Sequence, residues 1–113
     1  MVKLMMDSKK EQKDKLEDRL EMLYFSSPTC QPCKKYFPIV EEVAEVYSGM
    51  MNFRKVDITE EPKVAQDHNV MGVPTTLYKI GNTEVYRAVG TMDADELNHH
   101  TKRLLSYKLL ILD

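Results

Sequence analysis

The chain has no tryptophan, no apolar run long enough to cross a membrane, no large excess of charge of either sign, and no cysteine besides Cys30 and Cys33. Each absence narrows what it does. A membrane-spanning helix needs about 20 apolar residues; "MVKLMM" at the start and "LLIL" near the end fall far short, and "DSKKEQKDK" breaks the first before it could form a signal-peptide core. A soluble, cytoplasmic protein is expected. With a formal net charge of −2 and Lys and Glu intermixed, no basic face is large enough for nucleic acid, and the acidic balance argues against an anionic membrane. Two cysteines make at most one disulfide, and a Cys30–Cys33 bridge closes so small a loop that it barely restricts the unfolded chain. A structural staple explains them poorly.

What is present reads as one domain over residues 1–113, because 113 residues with 42% apolar content suffice for a single core. Residues 1–19 are charged and form an expected leading strand and an exposed helix over Asp7–Asp18, with Lys and Glu at helical spacings. "LEMLYF" (Leu20 to Phe25) is a compact apolar run of strand length, closed by the turn-prone "SSP". From Gln31 to Tyr47 the apolar residues Cys33, Tyr36, Phe37, Val40, Ala44 and Tyr47 follow the spacing of an amphipathic helix. Pro32 suits its first turn, and Pro38, inside it, predicts a kink. "MNFRKVD" reads as a strand with Met51 and Phe53 on one face and Val56 on the other, and "EEPKVAQDHNV" as a short helix with Pro62 in its first turn.

"TTLYKI", Gly81-Asn82 and "TEVYRAV" predict a β-hairpin, the Gly-Asn pair supplying the positive backbone angles of a two-residue turn. Asp93 and Glu96 have capping-box spacing ahead of a helix with Leu97, Leu104 and Leu105 on its apolar side. Residues 106–113 are read as an extension of that helix or a tail. Crossovers between the early strands make parallel neighbours and the hairpin an antiparallel edge, so the expected fold class is α/β, with helices on both faces of a central mixed sheet of four or five strands.

Cys30-Gln31-Pro32-Cys33 falls at a strand-to-helix junction. The first sulfur then lies at a helix N-terminus, where unpaired backbone N–H groups and the helix dipole favour a thiolate, and Lys34 and Lys35 add positive charge. Cys30 is the better nucleophile. Cys33, one turn in, is placed to attack a mixed disulfide formed by Cys30. Half of a zinc site is the competing reading, but zinc needs about four ligands, and the remaining candidates are His68, His99 and His100. The last two are adjacent on a helix and cannot easily face one metal together with the thiols. No metal or organic cofactor is expected.

These residues resemble the thioredoxin family. The likeness runs without a gap from about Leu20 to Leu105: "CQPC" is similar to the family's Cys-Gly-Pro-Cys, Pro38 to the proline within the active-site helix, "GVPT" to its cis-proline loop, and Gly90 to the glycine closing the hairpin. The resemblance implies a thioredoxin-like fold, a protein-disulfide reductase, and a cis Val73-Pro74 bond that leaves the Val73 backbone free to pair with an extended substrate. Without the Cys-x-x-Cys pair, Pro74 would read as a trans-proline opening an edge strand. It further implies protein disulfides as substrates, with electrons from a thioredoxin-reductase-like flavoprotein or the glutathione system. A monomer is expected.

Three departures bear on tuning. Tyr24 stands where the family has a buried acid that helps deprotonate the second cysteine. Lys55, matching the lysine that partners that acid, is left to reach solvent, Asp57 or the Tyr24 hydroxyl. Thr29 and Ser26 replace tryptophans, thinning the apolar shield around the sulfurs, and Gln31 replaces glycine. Two other readings stay open: a non-catalytic thioredoxin-like binding module, and a glutathione-dependent glutaredoxin-like reductase, whose tyrosine is here Pro32.

Overall fold

The computed structural model describes residues 19–112. The leading strand and the Asp7–Asp18 helix lie outside that range. The elements are β1 (Leu20–Ser26), α1 (Gln31–Val46), β2 (Met51–Asp57), α2 (Pro62–Asp67), β3 (Thr75–Ile80), β4 (Thr83–Val89) and α3 (Ala94–Leu112). Among the described residues they form one four-stranded sheet in the order β2-β1-β3-β4. β1 runs parallel to β2 and antiparallel to β3, and β3 pairs antiparallel with β4. A run apolar at nearly every position suits a strand covered on both faces, and "LEMLYF" lies between two strands with only Glu21 short of burial.

Alternation along β1 sorts its side chains into two cores. Leu20, Met22 and Tyr24 join Tyr36, Val40 and Leu97 from α1 and α3, while Leu23 and Phe25 join Val56, Ala65 and Leu77 on the side of α2. Helices therefore cover both faces. Full burial of Val40 and Leu97 contributes about 1.5–3 kcal/mol each, so the stripe along each long helix fixes its rotation against the sheet.

Local chemistry sets the ends of the elements. Cys30 is the N-cap of α1, Pro32 lies in its first turn and Pro38 lies inside it. Before α3 the capping box forms with Asp in place of Ser or Thr: the Glu96 N–H donates to Asp93 Oδ1 at 2.8 Å and the Asp93 N–H to Glu96 Oε1 at 3.5 Å. α3 continues to Leu112, so the C-terminal stretch is helical, with Leu109 and Leu110 exposed.

In the hairpin Ile80 pairs with Thr83, and Gly81 has φ 62°. Asn82 does not share the positive angle expected of it. One left-handed residue at the first central position suffices for a two-residue turn, and glycine takes that position without steric cost. Beyond the turn, Tyr78 faces Tyr86 but Lys79 faces Glu84, leaving Val85 as an extra residue that bulges β4.

Candidate active site

β1 delivers the chain to Ser26, a turn over residues 27–29 follows, and the Cys30 N–H closes it on the Ser27 carbonyl at 3.2 Å. Cys30 then caps α1. The Cys33 N–H donates to Cys30 Sγ at 3.2 Å, and the two cysteines are joined as a disulfide with their Cα atoms 5.2 Å apart. Their surroundings differ: Cys30 is half-buried, whereas Cys33 is only 3% exposed. On reduction, the sulfur nearer solvent is the one that receives a backbone N–H at a helix N-terminus, an arrangement that stabilises a thiolate there.

The Val73-Pro74 bond is cis. Thr75 pairs with Phe25, so Pro74 emerges at the same end of the sheet as Ser26 and the cysteine turn. Two hydrogen bonds shape its loop: Thr75 Oγ1 donates to the Gly72 carbonyl at 2.7 Å and the Gly90 N–H to the Pro74 carbonyl at 2.8 Å. Gly90 has φ 93°, a conformation that disfavours any side chain. Pro74 itself is buried, Val73 half-buried and Gly72 exposed.

Tyr24 sits beneath Cys33. Its hydroxyl donates to the Cys33 carbonyl at 3.0 Å, and its ring stacks on Phe37 at 5.8 Å and meets Tyr36 edge-on at 5.9 Å. Burial, with a smaller contribution from Tyr36, pushes the Tyr24 phenol up to about 12. It is therefore a neutral hydrogen-bond donor at physiological pH and cannot take up a proton as a carboxylate there would. Lys55 lies opposite Tyr24 in the β1–β2 register, yet it does not reach the hydroxyl: its ammonium sits 4.1 Å from the centre of the Phe37 ring, a cation–π contact.

A cleft of about 390 Å³ lies beside the pair, lined by Tyr24, Ser26, Cys33, Phe37, Lys55 and Asp57 among others. The Thr59 hydroxyl and backbone N–H hold the Asp57 carboxyl below its ordinary range, with Lys55 adding to the same effect. Ser26, lining this cleft, is small where the resemblance leads one to expect tryptophan. A second groove of about 350 Å³ includes Gln31, Pro32, Lys35, Ile39 and Thr91. Gln31, Pro32 and Lys35 are exposed there, as are Lys34 beside the first cleft and Thr29 in the turn.

The structure thus gathers Cys30, Cys33, Gln31, Pro32, Thr29 and Lys34 at the head of α1, Tyr24 and Lys55 on the neighbouring strands, and Val73 and Pro74 at the same sheet end. Among the described residues no three His, Cys, Asp or Glu side chains converge where a metal could sit, and no helix is long and apolar enough to cross a membrane. That Phe37 is the ring receiving Lys55 was not expected from the sequence, although its place in the α1 stripe, one turn beyond Cys33, puts it near the pair.

A mixed sheet with helices on both faces, a disulfide-bonded Cys-x-x-Cys at a helix N-cap and a cis-proline at the same sheet end define a thioredoxin-fold protein. The thioredoxin family profile matches residues 3–103. Thioredoxin of Staphylococcus aureus is 31% identical over 83 residues, covering 74% of this chain and 80% of its own length. Among solved structures, Fasciola hepatica thioredoxin aligns with a TM-score of 0.71 at 27% identity, over 85% of this chain and 88% of its own. The germline-specific thioredoxin Deadhead of Drosophila melanogaster shares the fold at TM-score 0.72 and 23% identity, over 88% and 93%. The chain belongs to the thioredoxin family. With the Cys30–Cys33 pair intact it is a thiol–disulfide oxidoreductase, of a family that acts on protein disulfides and is served by a reductase.

Proposed function

We propose that Cys30 is the attacking thiolate and Cys33 the resolving thiol in the reduction of protein disulfides. The observation that carries this reading is the asymmetry of the pair: the Cys33 N–H points at Cys30 Sγ, while Cys33 is nearly inaccessible. Cys30 thiolate attacks one sulfur of the substrate, forming Cys30–S–S–R and releasing the other as R′–S⁻. Cys33 thiolate then attacks Cys30 Sγ, closing Cys30–Cys33 and releasing R–S⁻. Two electrons pass to the substrate. During the first step an extended segment of substrate pairs with the Val73 backbone beside Pro74, so recognition is largely main-chain and broad.

Tyr24 shapes the second step. Because it remains protonated and bonded to the Cys33 carbonyl, the Cys33 proton leaves through the adjoining cleft to water rather than to a buried acid. Lys55 and Lys34, both lining that cleft, favour the thiolate left behind. Gln31, Pro32 and Thr29 form the rim that substrate meets. No metal or organic cofactor enters the cycle; a thioredoxin-reductase-like flavoprotein or the glutathione system returns the electrons, and the protein works as a monomer in the cytoplasm.

The test is a thiol count by mass after alkylation. Reduced protein mixed with a disulfide-bonded test protein should lose two thiols, at Cys30 and Cys33, for every two that the substrate gains. Binding without thiol transfer would establish the non-catalytic module instead, and activity confined to a small glutathione mixed disulfide would establish the glutaredoxin-like reading.

A further inference from the structure

Arg87 lies on β4 opposite Leu77 of β3, on the α2 side of the sheet. Its guanidinium joins two elements. Nε donates to Glu84 Oε2 at 2.9 Å and Nη2 to Glu84 Oε1 at 2.8 Å, a bidentate pair that fixes the plane of the fork. The same fork donates from Nη1 to the Asn69 carbonyl at 3.0 Å and from Nη2 to the His68 carbonyl. His68 is the C-cap of α2 and Asn69 has φ 55°, so the two carbonyls turned toward Arg87 are those with which the helix ends and the chain reverses. Carbonyls at a helix C-terminus lack intrahelical donors and carry the negative end of the dipole, and a guanidinium satisfies both needs.

The four residues that follow, Val70 to Val73, lead directly into the cis Pro74. Their far end is held by the Thr75 hydroxyl on the Gly72 carbonyl and by the Gly90 N–H on the Pro74 carbonyl. Their near end is held by the Val70 N–H on the Ala65 carbonyl and by Arg87. Met71 between these anchors is 96% exposed, so it contributes no burial that would hold the loop in place.

We infer that Arg87 is a positioning residue for substrate: it straps the α2 end of the cis-proline loop to β4 and so sets where the Val73 backbone is presented. This rests on the reading that substrate pairs with Val73. Backbone pairing is made with bound substrate and transition state alike, so loosening the loop weakens binding without slowing the chemistry, which raises KM and leaves kcat unchanged.

The experiment compares wild type, R87K and R87M on two substrates: an extended peptide joined by a disulfide to a chromogenic thiol, and a small aryl disulfide with no backbone to pair. R87M should raise KM for the peptide about tenfold, with kcat and the aryl disulfide rate unchanged. R87K, which keeps the charge beside Glu84 but loses the planar fork, should show the same selective rise to a smaller extent, and it carries the test if R87M does not fold. Unchanged KM in both variants, or an equal loss on both substrates, would overturn the strap. If wild type itself shows no preference for the peptide over the aryl disulfide, the Val73 reading fails first and the strap with it.

Discussion

Replacing Tyr24 by phenylalanine removes one hydroxyl from the centre of the molecule and nothing else. Tyr24 is fully buried, and its hydroxyl makes a single hydrogen bond, to the Cys33 carbonyl; losing it should cost about 1 kcal/mol at neutral pH. The pH dependence separates this account from a generic loss. In the folded protein the phenol is pushed from 10.0 to about 12, so the unfolded chain releases its proton first as pH rises. A raised folded pKa means that the contribution of Tyr24 is complete below pH 10 and is lost as pH climbs toward 12, at up to about 1.4 kcal/mol per unit. The phenylalanine variant has no such loss. Guanidinium unfolding of the two oxidised proteins should show wild type ahead by about 1 kcal/mol at pH 8, the curves converging near pH 11 and Tyr24→Phe ahead above that. Tyr36 and Tyr78, also raised by burial, are present in both proteins and largely cancel. A stability gap that stays constant from pH 8 to pH 11.5 would refute the argument.

The same substitution should leave the pH profile of mixed-disulfide resolution unchanged, because a group that keeps its proton to about 12 does not titrate in the working range; a displaced profile in rapid-mixing kinetics would make Tyr24 a proton carrier. Thr101→Val deletes the hydroxyl that meets the Tyr78 hydroxyl at 2.6 Å within the core and leaves a buried phenol unpaired. Unfolding at neutral pH should show a loss of about 1–3 kcal/mol, with disulfide exchange by the folded protein as in wild type.

Features written in contiguous residues were legible in the sequence. "LEMLYF" is apolar at nearly every position because β1 is flanked on both edges and faces a core on each side; Asp93 and Glu96 announce the start of α3; Gly81 marks the hairpin; Cys30, Pro32 and Cys33 place the reactive pair at the head of α1. What escaped depends on which of several partners a long polar side chain meets after folding. Of the destinations expected for Lys55, it keeps solvent and the neighbourhood of Asp57 and does not reach the Tyr24 hydroxyl; its contact with the face of Phe37 is one that the strand pattern does not announce. The Tyr24 hydroxyl turned to a main-chain carbonyl, which no side-chain pattern reveals. Arg87 reads as an ordinary strand cation until β4 is placed beside the end of α2. Substrate contact at Val73 and Pro74 was expected from resemblance alone; composition and periodicity carry no trace of it.

The division of labour between the two thiols is tested most directly by trapping. Cys33→Ser and Cys30→Ser, each reduced and mixed with a disulfide-bonded test protein, are compared by intact mass under acid quench. Cys33→Ser should accumulate a covalent complex through Cys30, since the thiol that resolves it is gone, and Cys30→Ser should form none at a comparable rate. A complex that accumulates through Cys33 in the Cys30→Ser protein, or equal trapping by both, would contradict the assignment of Cys30 as nucleophile.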